Sequence, residues 1–145
     1  MLKKSILPMS CGVLVMVMSG LLDAAEITLI SHKTLGSQLR DGMKLATGRI
    51  ACREPHDGFH IWINASQNGK VGHYIVQNNR ETKHELKVKI GGGGWSSSLI
   101  EGQRGVYRQG EEKQAIFDIM SDGNQYSAPG EYIFSVSGEC LISRG

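Results

Sequence analysis

The sequence predicts an all-β domain of the immunoglobulin-like sandwich type. Short runs of alternating apolar and polar residues recur along the chain, separated by Gly, Asn and Asp, which is the pattern of a β-sandwich or barrel. Beyond the first residues, no stretch has the apolar period of a long helix. Cys52 precedes Trp62, and Cys140 lies on a late run; this Cys–Trp–Cys order is typical of immunoglobulin-type domains.

The first residues predict a secretory signal peptide over residues 1–25. The chain starts with the basic "MLKK", continues with a long apolar run and then reaches the small residues Ala24 and Ala25. This is the three-part layout of an export leader, and cleavage is expected after Ala24 or Ala25. The alternative is an uncleaved membrane anchor, but no basic stop-transfer cluster follows the apolar run. Residues 26–145 are expected to form one domain.

Seven runs account for the predicted strands. The clearest is 84–90, where Leu86, Val88 and Ile90 alternate with charged residues, so one face is expected to be buried and the other solvated. In chain order the runs are "EITLIS" (26–31), "KLATGRIACR" (44–53), "FHIWIN" (59–64), "GHYIVQ" (72–77), "HELKVKI" (84–90), "KQAIFDIM" (113–120) and "EYIFSVSGEC" (131–140).

Two places depart from regular alternation. In the second run Leu45 is out of phase with Ile50 and Cys52, which predicts a β-bulge near Gly48. The segment 91–112 starts with four consecutive glycines and alternates poorly. We interpret it as a long loop or an irregular strand.

A disulfide is expected between Cys52 and Cys140. Cys11 leaves with the predicted leader, so an even pair of cysteines remains in an exported, oxidising setting. Each of the two shares the phase of the apolar residues in its run, as a disulfide between two sheets requires. Two free thiols, or part of a metal site, are the alternatives.

No catalytic constellation is recognisable. His56 and His60 are four residues apart, but Pro55 and Gly58 break the helix that would place both imidazoles on one face, so we expect loop histidines. The four glycines lack the Gly-Lys-Ser/Thr of a phosphate loop, and Gly-x-Ser-x-Gly is absent from the sequence. A formal net charge of +2 is no basic footprint for nucleic acid. We therefore expect no enzyme, metal, cofactor or nucleic-acid partner.

The chain resembles the AfaD/DraD-type invasin subunits of the Afa/Dr and aggregative adherence fimbriae. The stretches that carry the resemblance are "GSQLRDGMKLATGRIACRE", "GFHIWIN", "FDIMSDGNQYSAPGEY" and "FSVSGEC". The resemblance implies an incomplete immunoglobulin-like β-sandwich that lacks its last strand and is completed by a donor strand from a partner subunit.

The resemblance also implies partners and a role. Export would use a periplasmic chaperone and an outer-membrane usher, and the donor strand would come from the major fimbrial subunit. The chain would reach the bacterial cell surface as a minor or tip subunit of a chaperone–usher fimbria. There it would act as an invasin-like adhesin that promotes attachment to, and invasion of, epithelial host cells, with integrins as proposed receptors.

On this interpretation the run 131–140 is the penultimate strand of the sandwich. The first run directly follows the predicted cleavage site and leaves little free arm to donate, which indicates an acceptor at the tip. The apolar residues expected to line the donor-strand groove are Ile27, Leu29, Tyr132, Phe134 and Val136.

The receptor-binding surface is less well defined. The candidates are aromatic and basic residues of the irregular segment, namely Trp95, Arg104, Tyr107 and Arg108, for which loop packing and solvated charge are the alternative interpretation. The alternative function is a self-sufficient periplasmic β-sandwich binding module for a small ligand or metal. The His56/His60 pair is where such a metal would be sought.

Overall fold

Every regular element that the structure describes is a β-strand, as the sequence predicts. The computed structural model describes residues 16–17, 25–32, 38–77, 84–97, 105–127 and 132–142. Within these ranges no helix is both long and apolar enough to cross a membrane. The strands are β1 (Met16–Val17), β2 (Ala25–Ser31), β3 (Gln38–Leu39), β4 (Lys44–Cys52), β5 (Gly58–Ile63), β6 (Ser66–Gln67), β7 (His73–Gln77), β8 (Glu85–Gly91), β9 (Ser96–Ser97), β10 (Val106–Gln109), β11 (Gln114–Ser121), β12 (Gln125–Tyr126) and β13 (Val136–Leu141).

The strands form two main sheets and one small ribbon. The larger sheet has the order β1-β2-β4-β11-β8-β7-β6, the smaller has the order β13-β5-β10-β9, and β3 pairs with β12. Each strand pairing is antiparallel. Antiparallel sheets commonly bury one face and expose the other, which accounts for the alternation seen in the sequence.

The strand order is that of an immunoglobulin-type sandwich. In such domains the strands A, B, E and D form one sheet, and C, F and G form the other. Here β2-β4-β11-β8 occupy the places of A-B-E-D, while β5 and β13 occupy those of C and F. In the described part of the chain, no strand lies beyond β13 in the place of G.

The apolar core lies between the two sheets. In β8, Leu86, Val88 and Ile90 are buried and Glu85 is exposed, as predicted. The largest fully buried side chains include Tyr74, Phe59 and Phe117, together with Ile residues of β2, β4, β5 and β11. Burying a large apolar side chain contributes roughly 1.5–3 kcal/mol, so these strands hold the domain together.

The predicted disulfide is confirmed and joins the two sheets. Cys52 ends β4 and Cys140 lies in β13, with their sulfurs 2.04 Å apart and their Cα atoms 6.0 Å apart. These strands correspond to B and F, which carry the inter-sheet disulfide of antibody domains.

Trp62 lies on the other face of β5 from the disulfide. Cys140 pairs directly with Phe59, and successive side chains of a strand alternate between faces. Phe59, Ile61 and Ile63 therefore face the core, while the Trp62 ring lies 4.9 Å from the His60 ring. The Cys–Trp–Cys order predicted the correct fold class. However, the aromatic residue of β5 that lies beside the disulfide is Phe59 rather than Trp62.

The β-bulge lies at Leu45. The pairing of β11 with β4 shifts between Ile119 and Met120, whose partners are Ala46 and Lys44, so Leu45 is the extra residue. Gly48 sits in regular register opposite Phe117. A Cβ on Gly48 would overlap the Phe117 ring, so glycine is needed there to accommodate that ring.

The described residues of the irregular segment 91–112 include two complete strands. β9 and β10 fall within it and pair with each other, and β10 also pairs with β5. Val106 is buried in the core. Alternation is weak because β10 is only four residues long and both Tyr107 and Arg108 are half-buried, so neither face stands out in the sequence.

Candidate functional site

Strands β2 and β13 lie close together along one side of the sandwich. A Cβ on Gly138 would stand 2.9 Å from Ile27 Cδ1 and 2.8 Å from Ile50 Cδ1. The smallest side chain therefore allows β13 to approach β2 and β4. The two strands belong to different sheets, so this glycine lets the two sheets come close together on this side.

The five predicted groove residues belong to the apolar core or pack against it. Ile27, Leu29, Phe134 and Val136 are buried, and Tyr132 is half-buried against the same apolar cluster. These side chains are therefore covered within the chain itself. Their role toward a donor strand stays a prediction.

The two strands differ in whether another strand pairs with their outer edge. β13 is the outermost strand of the smaller sheet. On the outer edge of β2, Met16 pairs with Ile27 and Val17 with Glu26 to form β1. The outer edge of β2 is thus paired with a segment that precedes the predicted domain. Of the predicted signal peptide, the structure describes only Met16, Val17 and Ala25.

Three of the four receptor-binding candidates lie in the described residues, at the glycine turn or in β10. Trp95 Nε1 donates to the Ile116 carbonyl oxygen (2.8 Å), and its ring meets Phe117 edge-on. Tyr107 and Arg108 are neighbours in β10, so their side chains point to opposite faces. Trp95 and Arg108 both contact the glycine turn at 92–94. Arg104 lies outside the described residues.

An exposed apolar patch was missed in the sequence. Ile30 and Ile116 are 68% and 54% exposed on the outer face of the larger sheet. Their β4 partners are Thr47 and Arg49, and together they border a groove of about 200 Å³. The signal was present, because both isoleucines are out of phase with the buried residues of their strands.

A charged cluster fixes the loops at one end of the sandwich. Asp41 Oδ1 accepts from the Gly123 backbone N–H (2.7 Å) and from Lys89 Nζ (3.1 Å). These contacts, the Gly123 hydrogen bond foremost, hold the pKa of Asp41 below its usual value of 3.8. His73 Nδ1 lies 2.8 Å from Asp122 Oδ2, which ties β7 to the same loop.

The two histidines considered for a metal bind different partners. His56 contacts the backbone carbonyl oxygens of Glu54 and Glu112. His60 is not a loop residue, because it lies within β5, is buried, and has Nδ1 3.0 Å from Glu139 Oε2. Within the described ranges, no group of three or more His, Cys, Asp or Glu side chains could hold a metal ion.

These features define a class of protein. The chain is a disulfide-linked, immunoglobulin-like subunit with no strand described in the place of G and with a strand edge open to addition, as in subunits that assemble by β-strand addition.

The chain belongs to the AfaD invasin family. Residues 35–138 match the family described as Enterobacteria AfaD invasin protein. The chain is 52% identical to Protein AfaD of Escherichia coli over 140 residues, which cover 96% of this chain and 95% of that protein.

Three solved structures support this assignment. AggB, the minor subunit of aggregative adherence fimbriae type I from Escherichia coli, is 96% identical with a TM-score of 0.75, covering 81% of this chain and 86% of AggB. The E. coli Hda pilus minor tip subunit HdaB is 52% identical with a TM-score of 0.78, covering 82% and 84%. A structure described for fibronectin binding and biofilm formation by enteroaggregative E. coli AAF fimbriae is 55% identical with a TM-score of 0.75, covering 82% and 87%.

The relatives also establish the setting of the chain. It is a minor tip subunit of the Afa and aggregative adherence type of fimbria, displayed on the bacterial surface. Its fold is the incomplete immunoglobulin-like sandwich of this family, which a donor strand completes.

Proposed function

We propose that this subunit caps a chaperone–usher fimbria and attaches the bacterium to epithelial host cells, promoting their invasion. In this proposal the chain acts by assembly and adhesion rather than by catalysis. Residues 1–25 are removed as a signal peptide, a periplasmic chaperone and an outer-membrane usher handle the exported domain, and the major subunit supplies the donor strand.

One observation carries the assembly part of the proposal. β5 and β13 take the places of strands C and F, and in the described residues the place of G beside β13 holds no strand. A donor strand there would extend the smaller sheet along the outer edge of β13, beside the core that includes Ile27 and Val136. Main-chain hydrogen bonds would supply affinity, and alternate side chains would supply specificity.

The adhesive part of the proposal rests on the similarity of this chain to its relatives. The family is described as invasin, and the AAF structure at 55% identity is described for fibronectin binding. Fibronectin and integrins are therefore the receptors to test first.

The test compares the exported domain with and without a fused donor strand from the major subunit. We expect the unfused domain to aggregate or to remain bound to chaperone, and the fused domain to be a monomer that unfolds cooperatively. A matched control replaces with Ser either the inward-facing or the outward-facing apolar residues of the donor strand, and only the inward set should abolish complementation. A stable, cooperatively unfolding monomer without any donor would overturn the assembly proposal.

The fused domain then serves for the adhesion test. We expect it to bind epithelial cells and to increase uptake of beads coated with it, relative to beads coated with a fused major subunit. Soluble fibronectin and integrin-blocking antibodies distinguish the two receptors. Equal uptake of both kinds of bead would overturn the adhesive role.

A further inference from the structure

We propose that a cleft between the glycine turn at 92–94 and strands β10 and β11 binds a neutral saccharide unit of a glycan. The proposal names a ligand class for the adhesive role and rests on that role for its biological setting. The binding itself can be measured independently of cell attachment.

The cleft has the size and wall chemistry of a small-ligand site. Its volume is about 350 Å³, within the range of roughly 300–1,000 Å³ typical of ligand pockets. One wall is the glycine turn, the second is Arg108 of β10, and the third is formed by the start of β11 and the residues before it. The lining residues include Gly93, Arg108, Glu112, Gln114, Ile116 and Asp118.

The walls are held in place by contacts within the protein. Arg108 Nη1 donates to the Gly93 carbonyl oxygen (2.8 Å), and a Cβ on Gly94 would collide with the Arg108 guanidinium. Trp95 Nε1 joins the other side of the turn to the Ile116 carbonyl oxygen. A cleft fixed before its ligand arrives loses less conformational entropy on binding.

Arg108 has a hydrogen-bond donor that no described residue of the protein accepts. Its Nε atom is buried and has no hydrogen-bond partner among the described residues. A buried, unpartnered donor costs free energy. Because this atom is enclosed, a small shift of the Arg108 side chain would be needed to present it to a ligand in the cleft, which Arg108 lines.

The charges of the walls favour a neutral ligand. Arg108 is positive, whereas Glu112 and Asp118 are negative, and Lys44 Nζ lies 3.7 Å from Asp118 Oδ2. A sulfate or phosphate would meet the carboxylates, and a cation would meet the guanidinium. Hydroxyl groups suit such a wall, because each hydroxyl both donates and accepts.

Ile116 adds the apolar surface that the C–H face of a sugar ring requires. It is 54% exposed and lines both this cleft and the neighbouring groove of about 200 Å³ beside Ile30. A ligand longer than one ring would extend into that groove.

The test is a glycan array probed with the exported full-length protein, purified from the periplasm in the complex it forms. The array carries neutral, sialylated and sulfated mammalian glycans, and calorimetry with the methyl glycoside of the bound terminal sugar follows. We expect binding to neutral glycans. Arg108→Gln should lower the affinity about tenfold or more, because it removes a charged donor.

A second variant keeps the proposal testable if Arg108→Gln fails to fold. A Cβ on Gly93 meets nothing within 4 Å, so Gly93→Trp should fill the cleft mouth without disturbing the core. Arg53→Gln, at a surface arginine paired with Glu26, should bind as the parent protein does. Circular dichroism checks the fold of each variant.

Three results would overturn the proposal: binding of no neutral glycan, binding of anionic glycans alone, or unchanged binding by Gly93→Trp. If these occur while cell attachment persists, the adhesive role stands and the saccharide cleft fails. Neutral-glycan binding that is lost in Gly93→Trp, in a protein that does not attach to cells, would support the cleft and contradict the adhesive role.

Discussion

Gly138 of β13 lies so close to Ile27 of β2 that a Cβ on residue 138 would stand 2.9 Å from Ile27 Cδ1. The carbonyl oxygen of His60 would be 3.0 Å away on the neighbouring strand. The distance between the two strands that border the proposed groove is thus set by a residue without a side chain.

Gly138→Val should therefore destabilise the domain. Overpacking a filled core typically costs about 1–3 kcal/mol, and here the backbone of β5 leaves little room for relaxation. Urea unfolding of the donor-complemented domain measures the change. Gly93→Ala is the control, with an expected change within about 0.5 kcal/mol; equal effects of the two substitutions would show that β13 is not closely packed on β2.

Removing the disulfide should be more costly. Cys52 and Cys140 are 88 residues apart, and in the chain-entropy model a loop of this length contributes roughly 4–5 kcal/mol. The double variant Cys52→Ala/Cys140→Ala, compared with the parent by urea unfolding, tests this. Reduction of the parent protein should reproduce most of the loss, and a change below about 1 kcal/mol would contradict the expectation.

Trp95 is expected to stabilise the glycine turn. Trp95→Phe removes the hydrogen bond from Nε1 to the Ile116 carbonyl oxygen but keeps an aromatic ring near Phe117. The free energy of unfolding should fall by about 0.5–1.5 kcal/mol. Tyr126→Phe, at a residue that is 74% exposed, is the control. A Trp95→Phe variant as stable as this control would refute the structural role of the indole.

Asp41 should make the free energy of unfolding depend on pH in the acid range. Since folding lowers the pKa of this carboxyl, its stabilising contribution is present above the unfolded value near 3.8 and is lost as pH falls through the lower folded value. Asp41→Asn should therefore be less stable than the parent at neutral pH, and the difference should shrink below pH 3.8. Urea midpoints measured across pH 2–7 would check this, and a difference that widens in acid would contradict it.

The fold was largely predictable, because both the strand pattern and the cysteine pair are local signals. The run 84–90 alternates regularly between apolar and charged residues, and it forms strand β8 with its apolar residues buried. Strand β10 was not recognised, because its residues are half-buried on either side of a four-residue strand. The bulge was expected near Gly48 but lies at Leu45, because register depends on the partner strand as well as on composition.

The candidate sites were less predictable, since they depend on how distant segments meet. Arg108 was a candidate on composition alone, whereas its neighbours Glu112 and Asp118 became apparent only once β10 and β11 were placed. The close approach of Gly138 to Ile27 has no local signal. By contrast, the outward isoleucines at 30 and 116 were detectable as breaks in alternation.

The bond between Cys52 and Cys140 also has a mechanical consequence. In the proposed adhesive role, the subunit would carry the drag of fluid flow on the bacterium through its donor strand. A covalent link from β4 in one sheet to β13 in the other keeps the sheets together under that tension. Load would then act along the donor strand and strain many backbone hydrogen bonds at once, so the attachment would resist sudden pulling better than a sandwich held by apolar contact alone.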